Sequence, residues 1–82
     1  MAERLFSAEE EVYDFLTSQP TPEQIIALRP SARAQERMRY LLDTNTNGRL
    51  TDDETAELDS YMRLEHFVRM LKIHARQKLA NP

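Results

Sequence analysis

Residues 43–54 of the 82-residue chain read DTNTNGRLTDDE and contain its one glycine, Gly48. The Asn47-Gly48 pair is a strong turn signal, because glycine adopts the left-handed backbone that ends a helix at no steric cost. Three residues beyond the glycine, Thr51 and Glu54 match a capping box, in which each side chain satisfies a free backbone N–H at a helix start. The stretch therefore predicts a sharp reversal of the chain between two helices.

The side chains of this stretch also follow the spacing of a calcium loop. Ca²⁺ takes about six to eight oxygen ligands, and a twelve-residue loop supplies them from alternate positions around a central glycine. Leu50 stands where such loops carry an apolar residue. The segment thus resembles an EF-hand loop, and the resemblance implies metal ligands at Asp43, Asn45, Asn47, Arg49 (through its carbonyl), Thr51 and Glu54.

Two interpretations of residues 43–54 stay open. In the first, Ca²⁺ binds weakly, with a dissociation constant of roughly 10⁻⁴–10⁻³ M, because only Asp43 and Glu54 bring charge and the loop has no paired second loop. In the second, no metal is involved, because an Asn-Gly stop followed by a Thr-x-x-Glu start is also an ordinary way to join two helices.

The rest of the sequence predicts an all-α fold in a single domain over residues 1–82. The composition favours helix, and no window alternates apolar and polar residues as a strand would. Helix-start signals lie at Ser7, Thr21 and Ser31, and Pro20 and Pro30 separate the segments. The expected elements are three shorter helices at 7–18, 21–29 and 31–42, the loop at 43–54, and a long helix at 52–79, so that residues 32–79 form an EF-hand-like helix-loop-helix.

The long helix is predicted to carry an association surface. About 28 residues at 1.5 Å each give roughly 40 Å, whereas a compact chain of this length is about 30 Å across. The helix therefore overhangs its own domain, unless the N-terminal helices fold back along it. Apolar residues recur along it at spacings of three and four, and Met62, Phe67 and Met70 widen this stripe. The expected partner-binding residues are Tyr61, Leu64, Phe67, Val68, Leu71, Ala75 and Leu79.

Composition narrows the classes of function. The chain has no cysteine, which excludes disulfides and cysteine nucleophiles and fits the cytoplasm. The sequence contains neither a membrane span nor a signal-peptide pattern, and its net charge of −3 argues against a dedicated nucleic-acid binder. It also lacks a catalytic triad, a phosphate-binding glycine loop and a dinucleotide fingerprint. We therefore expect a cytoplasmic protein that is not an enzyme and has neither a membrane nor a nucleic acid as its partner.

One row of charges has two interpretations. Arg29, Arg33 and Arg37 repeat every four residues, with Glu36 nearby. Such a row is either a solvated face of the third helix or a patch that binds phosphate or acidic protein.

Several short motifs follow one another along the chain. Residues 22–31 read PEQIIALRPS and are followed by Gln35-x-Arg37, Leu41-Leu42, Gly48-x-Leu50-Thr51-x-x-Glu54, Glu57-Leu58-Asp59, Leu64-Glu65-His66 and Leu71-Lys72. Over about residues 15–80, this set resembles a family of short bacterial proteins that are common in cyanobacteria. Genes of that family often lie beside genes for small HNH-type or PIN-type nucleases. The resemblance implies an antitoxin-like or adaptor role and no catalytic residues.

These observations predict a small non-enzymatic interaction module, antitoxin-like or adaptor-like. It is expected to bind a protein partner, or to form a homo-oligomer, through its last helix. The alternative function is calcium binding through the loop at 43–54. The two functions are compatible, because a bound metal would fix the angle between the helices that form the docking face.

Overall fold

The computed structural model describes residues 8–81 and confirms the all-α fold with three shorter helices and one long C-terminal helix. Within the described residues there is no strand, and the elements are α1 (Ala8–Thr17), α2 (Pro22–Ile26), α3 (Ala32–Thr46) and α4 (Asp52–Ala80). Ser7, the predicted cap of the first helix, lies outside the described residues. Thr21, Ser31 and Thr51 are the N-caps of α2, α3 and α4, and each side chain accepts a backbone N–H three residues on.

Two helix ends differ from the prediction. α2 ends at Ile26 rather than near residue 29, because the backbone tightens into an i→i+3 turn there, with the Leu28 N–H donating to the Ile25 carbonyl at 3.1 Å. α3 continues to Thr46, four residues past the predicted end at 42. No proline or glycine interrupts that extra turn, and the Thr46 hydroxyl donates to the carbonyl of Leu42 at 3.0 Å. The helix therefore runs on until glycine becomes available.

α4 is the spine of the molecule. Its 29 residues give a rod of about 43 Å, which accounts for most of the longest dimension of 47 Å. The N-terminal helices fold back along this rod, and the contact of α2 with α4 is the most extensive between described helices. Lys72 Nζ donates to the Leu28 carbonyl at 2.7 Å, just after α2 ends, and Ala75 is buried one turn further along α4. The overhang is thus covered in part by the chain's own α2.

The core is small and thinly spread. Its buried side chains are single or paired contributions from α1, α3 and α4, namely Val12, Ala34, Leu41, Leu58 and Ala75. α1 is tied to the rest by the Ser31 hydroxyl, which donates to Glu11 Oε2 at 2.8 Å. The radius of gyration is 15.0 Å, against about 12 Å for a compact chain of this length. The helices therefore stand apart in places, and the molecule keeps an open groove between them.

The apolar pattern of α4 divides between two faces. Leu58 and Ala75 are buried, and Tyr61, Leu64, Val68 and Leu71 are half-buried on the same side. Met62, Phe67 and Met70 do not widen this stripe as predicted, since each has 40–47% of its surface exposed. At about 100° per residue, these three project away from the side that meets α2 and α3.

Two adjacent leucines of α3 test where the core lies. Leu41 is fully buried, whereas Leu42 is 42% exposed. We expect Leu41→Ala to lower the free energy of unfolding by about 2–5 kcal/mol, and Leu42→Ala by under about 1 kcal/mol, because only the first leaves a cavity. Urea unfolding followed by circular dichroism measures both changes. Equal losses for the two variants would contradict this placement of the core.

Candidate functional site

The reversal between α3 and α4 is a Schellman turn followed directly by a capped helix. Gly48 has a φ of +66°, its N–H donates to the Asn45 carbonyl at 2.9 Å, and the Arg49 N–H donates to the Thr44 carbonyl at 3.1 Å. The capping box then starts α4, with the Thr51 N–H donating to Glu54 Oε1 at 3.0 Å. The backbone groups at this junction are therefore paired within the chain itself.

This conformation does not bring the six predicted metal ligands together. Asp43 and Asn45 lie in the last turn of α3, where residues two apart point about 200° away from each other around the helix axis. Both oxygens of Glu54 already accept hydrogen bonds, Oε1 from the Thr51 N–H and Oε2 from the Tyr40 hydroxyl at 2.7 Å. Asn47 is the C-cap of α3, and Arg49 and Thr51 belong to the turn described above. Calcium binding stays a prediction that requires the last turn of α3 to open.

Among residues 8–81, no group of three or more histidine, aspartate or glutamate side chains is placed to hold a metal ion.

Four polar side chains clamp α3 to α4 next to the turn. Arg37 forms a two-pronged ion pair with Glu57, at 2.8 Å from Nε to Oε2 and 2.7 Å from Nη2 to Oε1. Its guanidinium carbon lies 5.0 Å from the ring centroid of Tyr40, whose hydroxyl reaches Glu54. Both pairs are equidistant in sequence from the turn residue Asn47, so the two helices run side by side in opposite directions here. We call these four residues the clamp.

The clamp shifts the pKa values of its members in the directions expected for paired groups. The Thr51 N–H, and then the Tyr40 hydroxyl, hold the pKa of Glu54 below its ordinary value because both stabilise the carboxylate. The hydrogen bond to Glu54 raises the pKa of Tyr40, and the hydrogen bond to Glu57 raises that of Arg37. These shifts follow from hairpin contacts and need no catalytic explanation.

The lowered pKa of Glu54 predicts a pH-dependent contribution to stability. A depressed carboxylate pKa stabilises the fold above the ordinary value of 4.5, and this stabilisation is lost as the pH falls through the folded-state pKa. Glu54→Gln keeps an acceptor for the Thr51 N–H, as Gln24 does for Thr21 in α2. We expect the variant to melt a few degrees lower than the wild type at about pH 7, and the difference to vanish as the pH falls through the folded-state pKa of Glu54.

Glu36→Gln is the matched control, since Glu36 is an exposed carboxylate of the same hairpin outside the clamp. Its melting temperature should follow that of the wild type across the pH range. A Glu54→Gln deficit that persists undiminished at low pH would contradict the role given to the Glu54 charge.

Calcium can be tested on the same variant. Because the ligands do not converge, we expect about 10 mM Ca²⁺ to leave the melting temperature of the wild type within about 1 °C of its value in the same concentration of Mg²⁺. A rise that is specific to Ca²⁺ and is lost in Glu54→Gln would show instead that the last turn of α3 opens around the metal.

An open apolar groove of about 590 Å³ lies between α1, α3 and α4. The start of α1 closes one side, the linker from α2 to α3 closes another, and α4 forms the floor. Its apolar lining includes Val12, Leu28, Pro30, Met38, Leu42, Leu64 and Val68. The groove exists because α3 and α4 are clamped only beside the turn and separate further along.

The rim of the groove carries four cations and two carboxylates. Lys72 donates a hydrogen bond to the Leu28 carbonyl, and Arg69 forms an ion pair with Glu65 at 2.9 Å. Glu11 accepts from Ser31. Arg29 and Arg39 form no hydrogen bond or ion pair with any other residue of the described range. The unbalanced charge of the rim is therefore positive.

A second depression, of about 580 Å³, lies over the clamp and is more polar. Its lining includes Arg37, Tyr40 and Glu57, which are already paired with one another or with Glu54. Glu9 and Glu36 also line it and form no hydrogen bond or ion pair with another described residue, so the groove between α1, α3 and α4 is distinguished by its apolar floor.

The predicted partner-binding residues separate into three groups. Tyr61, Leu64 and Val68 line the groove. Leu71 is half-buried and Ala75 is buried, so these two serve the chain's own packing. Phe67 and Leu79 are exposed, at 47% and 45%, and do not line the groove.

The arginine row does not form one helical face. Arg29 precedes Pro30 and lies in the linker, Arg37 belongs to the clamp, and Arg33 also makes contacts within the chain. Sequence reasoning missed Arg39 as a rim residue and Glu57 as the partner of Arg37. The sequence does contain a signal for that ion pair. Arg37 and Glu57 each lie ten residues from Asn47, so a hairpin that turns at Asn47 sets them opposite each other.

Comparison with known proteins returned nothing similar: no protein-family model matches the chain, and no curated protein or solved structure resembles it. None of the described helices is both long and apolar enough to cross a membrane.

Proposed function

We propose that this chain is a non-enzymatic protein-interaction module whose groove between α1, α3 and α4 holds an amphipathic helix of a partner protein. The observation that carries the proposal is the combination of an apolar floor with Arg29 and Arg39 on the rim, neither of which pairs with another described residue. An apolar floor takes the hydrophobic side of a helix, and free cations beside it select acidic residues along the edge of that helix.

The dimensions of the groove suit a short helix. Tyr61, Leu64 and Val68 follow one another along α4 at spacings of three and four residues and face the groove. With Lys72, they cover about 17 Å of α4, which matches roughly three turns of a partner helix. The partner would therefore present apolar residues at a matching period and carboxylates on one flank.

The titratable groups support a binding role over a catalytic one. Among residues 8–81, the groups whose pKa is shifted are Arg37, Tyr40, Glu54 and Tyr61. The clamp explains the first three, and burial is the main cause of the raised pKa of Tyr61. Each perturbed group thus has a structural reason for its shift.

The resemblance to short bacterial proteins encoded beside nucleases supports an antitoxin-like or adaptor role for this module. In that role the partner is a nuclease, and the groove captures one of its exposed amphipathic helices. We place the interaction in the cytoplasm, which suits a chain without cysteine.

A pair of synthetic peptides tests the groove directly. Both are amphipathic helices of about 14 residues with leucines at i, i+3, i+4 and i+7, and they differ only in carrying glutamate or lysine on the flanks. By fluorescence anisotropy at low salt, we expect the acidic peptide to bind at least about tenfold more tightly than the basic one, because Arg29 and Arg39 are free to pair with it.

Three variants separate the floor from the rim. Val68→Glu, in the floor, should abolish binding, whereas Arg29→Gln with Arg39→Gln should remove only the preference for the acidic peptide. Tyr13→Glu is the control, because Tyr13 is 55% exposed on α1 and does not line the groove. Equal binding of the two peptides by the wild type, or binding unaffected by Val68→Glu, would refute the proposed site.

The same variants extend the test to any nuclease encoded beside this chain's gene. Co-purification and nuclease inhibition that are lost in Val68→Glu and kept in Tyr13→Glu would assign the antitoxin-like role to the groove. If the Val68→Glu variant still bound the nuclease, the nuclease-binding site would lie outside the groove.

A further inference from the structure

The side of α4 that faces away from the groove carries a second apolar surface. Met62, His66, Met70 and Ile73 lie within about 80° of one another around the helix axis, and we call them the outer face. The three apolar members are 45%, 40% and 38% exposed. The chain's own packing uses the opposite side of α4, so nothing among the described residues covers this face.

The first half of α4 is acidic and the second half is basic, except for Arg63 in the first half. Asp59 and Arg76 flank the outer face at its two ends, both are exposed, and neither pairs with another described residue. The first half of α4 contains the acids Asp52, Asp53, Glu54, Glu57, Asp59 and Glu65, whereas no acid follows Glu65 and the second half contains Arg69, Lys72, Arg76 and Lys78.

We propose that the occupant of the outer face is a second copy of this chain, with the two α4 helices antiparallel in a symmetric dimer. Antiparallel alignment sets the acidic half of each helix against the basic half of the other. A parallel alignment would set acidic half against acidic half and basic half against basic half. Charge complementarity thus selects both the partner and the direction.

The spacing of the outer face fixes the register. A two-fold axis between Phe67 and Val68 sets Met62 of one copy opposite Ile73 of the other. The same axis sets Asp59 opposite Arg76, because both pairs are centred on the same point in the sequence. The apolar contacts and the ion pairs therefore demand one and the same alignment. Each is formed twice, as a self-complementary interface requires.

The dimer leaves the groove between α1, α3 and α4 open, because the groove lies on the other side of α4. Two grooves would then face outward from a central pair of α4 helices. The inference is independent of the proposed function, and each can fail without the other.

Sedimentation equilibrium at low salt tests the dimer on the full chain. We expect the wild type to dimerise with a Kd in roughly the micromolar range, and Ile73→Asp to be a monomer, because a charge would be buried in the seam. Tyr13→Lys, on α1, should dimerise like the wild type. Circular dichroism confirms that each variant keeps its helix content.

Charge reversal tests direction and register. Asp59→Arg alone sets two arginine side chains against each other at both ends of a homodimer, and Arg76→Asp alone sets two acids together at both ends. Each single variant should dimerise about tenfold more weakly than the wild type at low salt. An equimolar mixture of the two single variants should recover dimers with near wild-type affinity, because their heterodimer sets an arginine against an aspartate at both ends.

The double variant Asp59→Arg with Arg76→Asp combines both reversals in one chain. It restores an unlike pair at both ends of its homodimer, with the sign of each charge exchanged. We expect it to dimerise with near wild-type affinity, which neither single variant does.

Three results would overturn the proposal. A wild type that stays monomeric at about 0.5 mM would remove the dimer. Single reversals that dimerise as well as the wild type would remove the antiparallel register. A double variant that stays as weak as the single ones would show that Asp59 and Arg76 do not meet across two copies.

Discussion

The left-handed backbone of Gly48 is the constraint on which the rest of the structure depends. A Cβ at this position would meet no atom within 4 Å, so the requirement for glycine is one of backbone conformation and not of space. That single conformation lets α3 end, and the capping box of Thr51 starts α4 two residues after Arg49. The clamp can then form only because the two helices leave the turn side by side.

Local signals in the sequence were sufficient for the fold. Helix starts follow from interactions within a few residues of the chain, and they were predicted correctly from the N-caps at Thr21, Ser31 and Thr51. The prolines and Gly48 mark where the helices are interrupted. The end of α3 was placed too early, because an aspartate followed by polar residues resembles a loop. A helix without a breaker nevertheless continues until glycine supplies its C-cap. This last turn of α3 includes Asp43 and Asn45, two of the predicted calcium ligands, and the helix places them on different sides of its axis.

The site depends on information that is not local. Leu64 and Met62 belong to one apolar pattern in the sequence, yet one lines the groove and the other faces outward, because the position of α2 and α3 decides which side of α4 is covered. Arg29 and Arg37 belong to the same four-residue repeat of arginines but have different roles, because Glu57 pairs with Arg37 and not with Arg29. The spacing of apolar residues predicts which helices are amphipathic. Which part of an apolar face stays exposed for a partner depends on how the neighbouring helices pack.

The contacts between helices join residues at very different separations along the chain, and these separations affect the rate at which each contact forms. The two clamp pairs close loops of 14 and 20 residues, whereas the bond from Lys72 to Leu28 spans 44. Because the entropy lost on closing a loop grows with its length, we expect the α3–α4 hairpin to form before α2 packs on α4. In a nascent chain leaving the ribosome, α2 therefore lacks its contact with α4 until the chain has been made as far as Lys72.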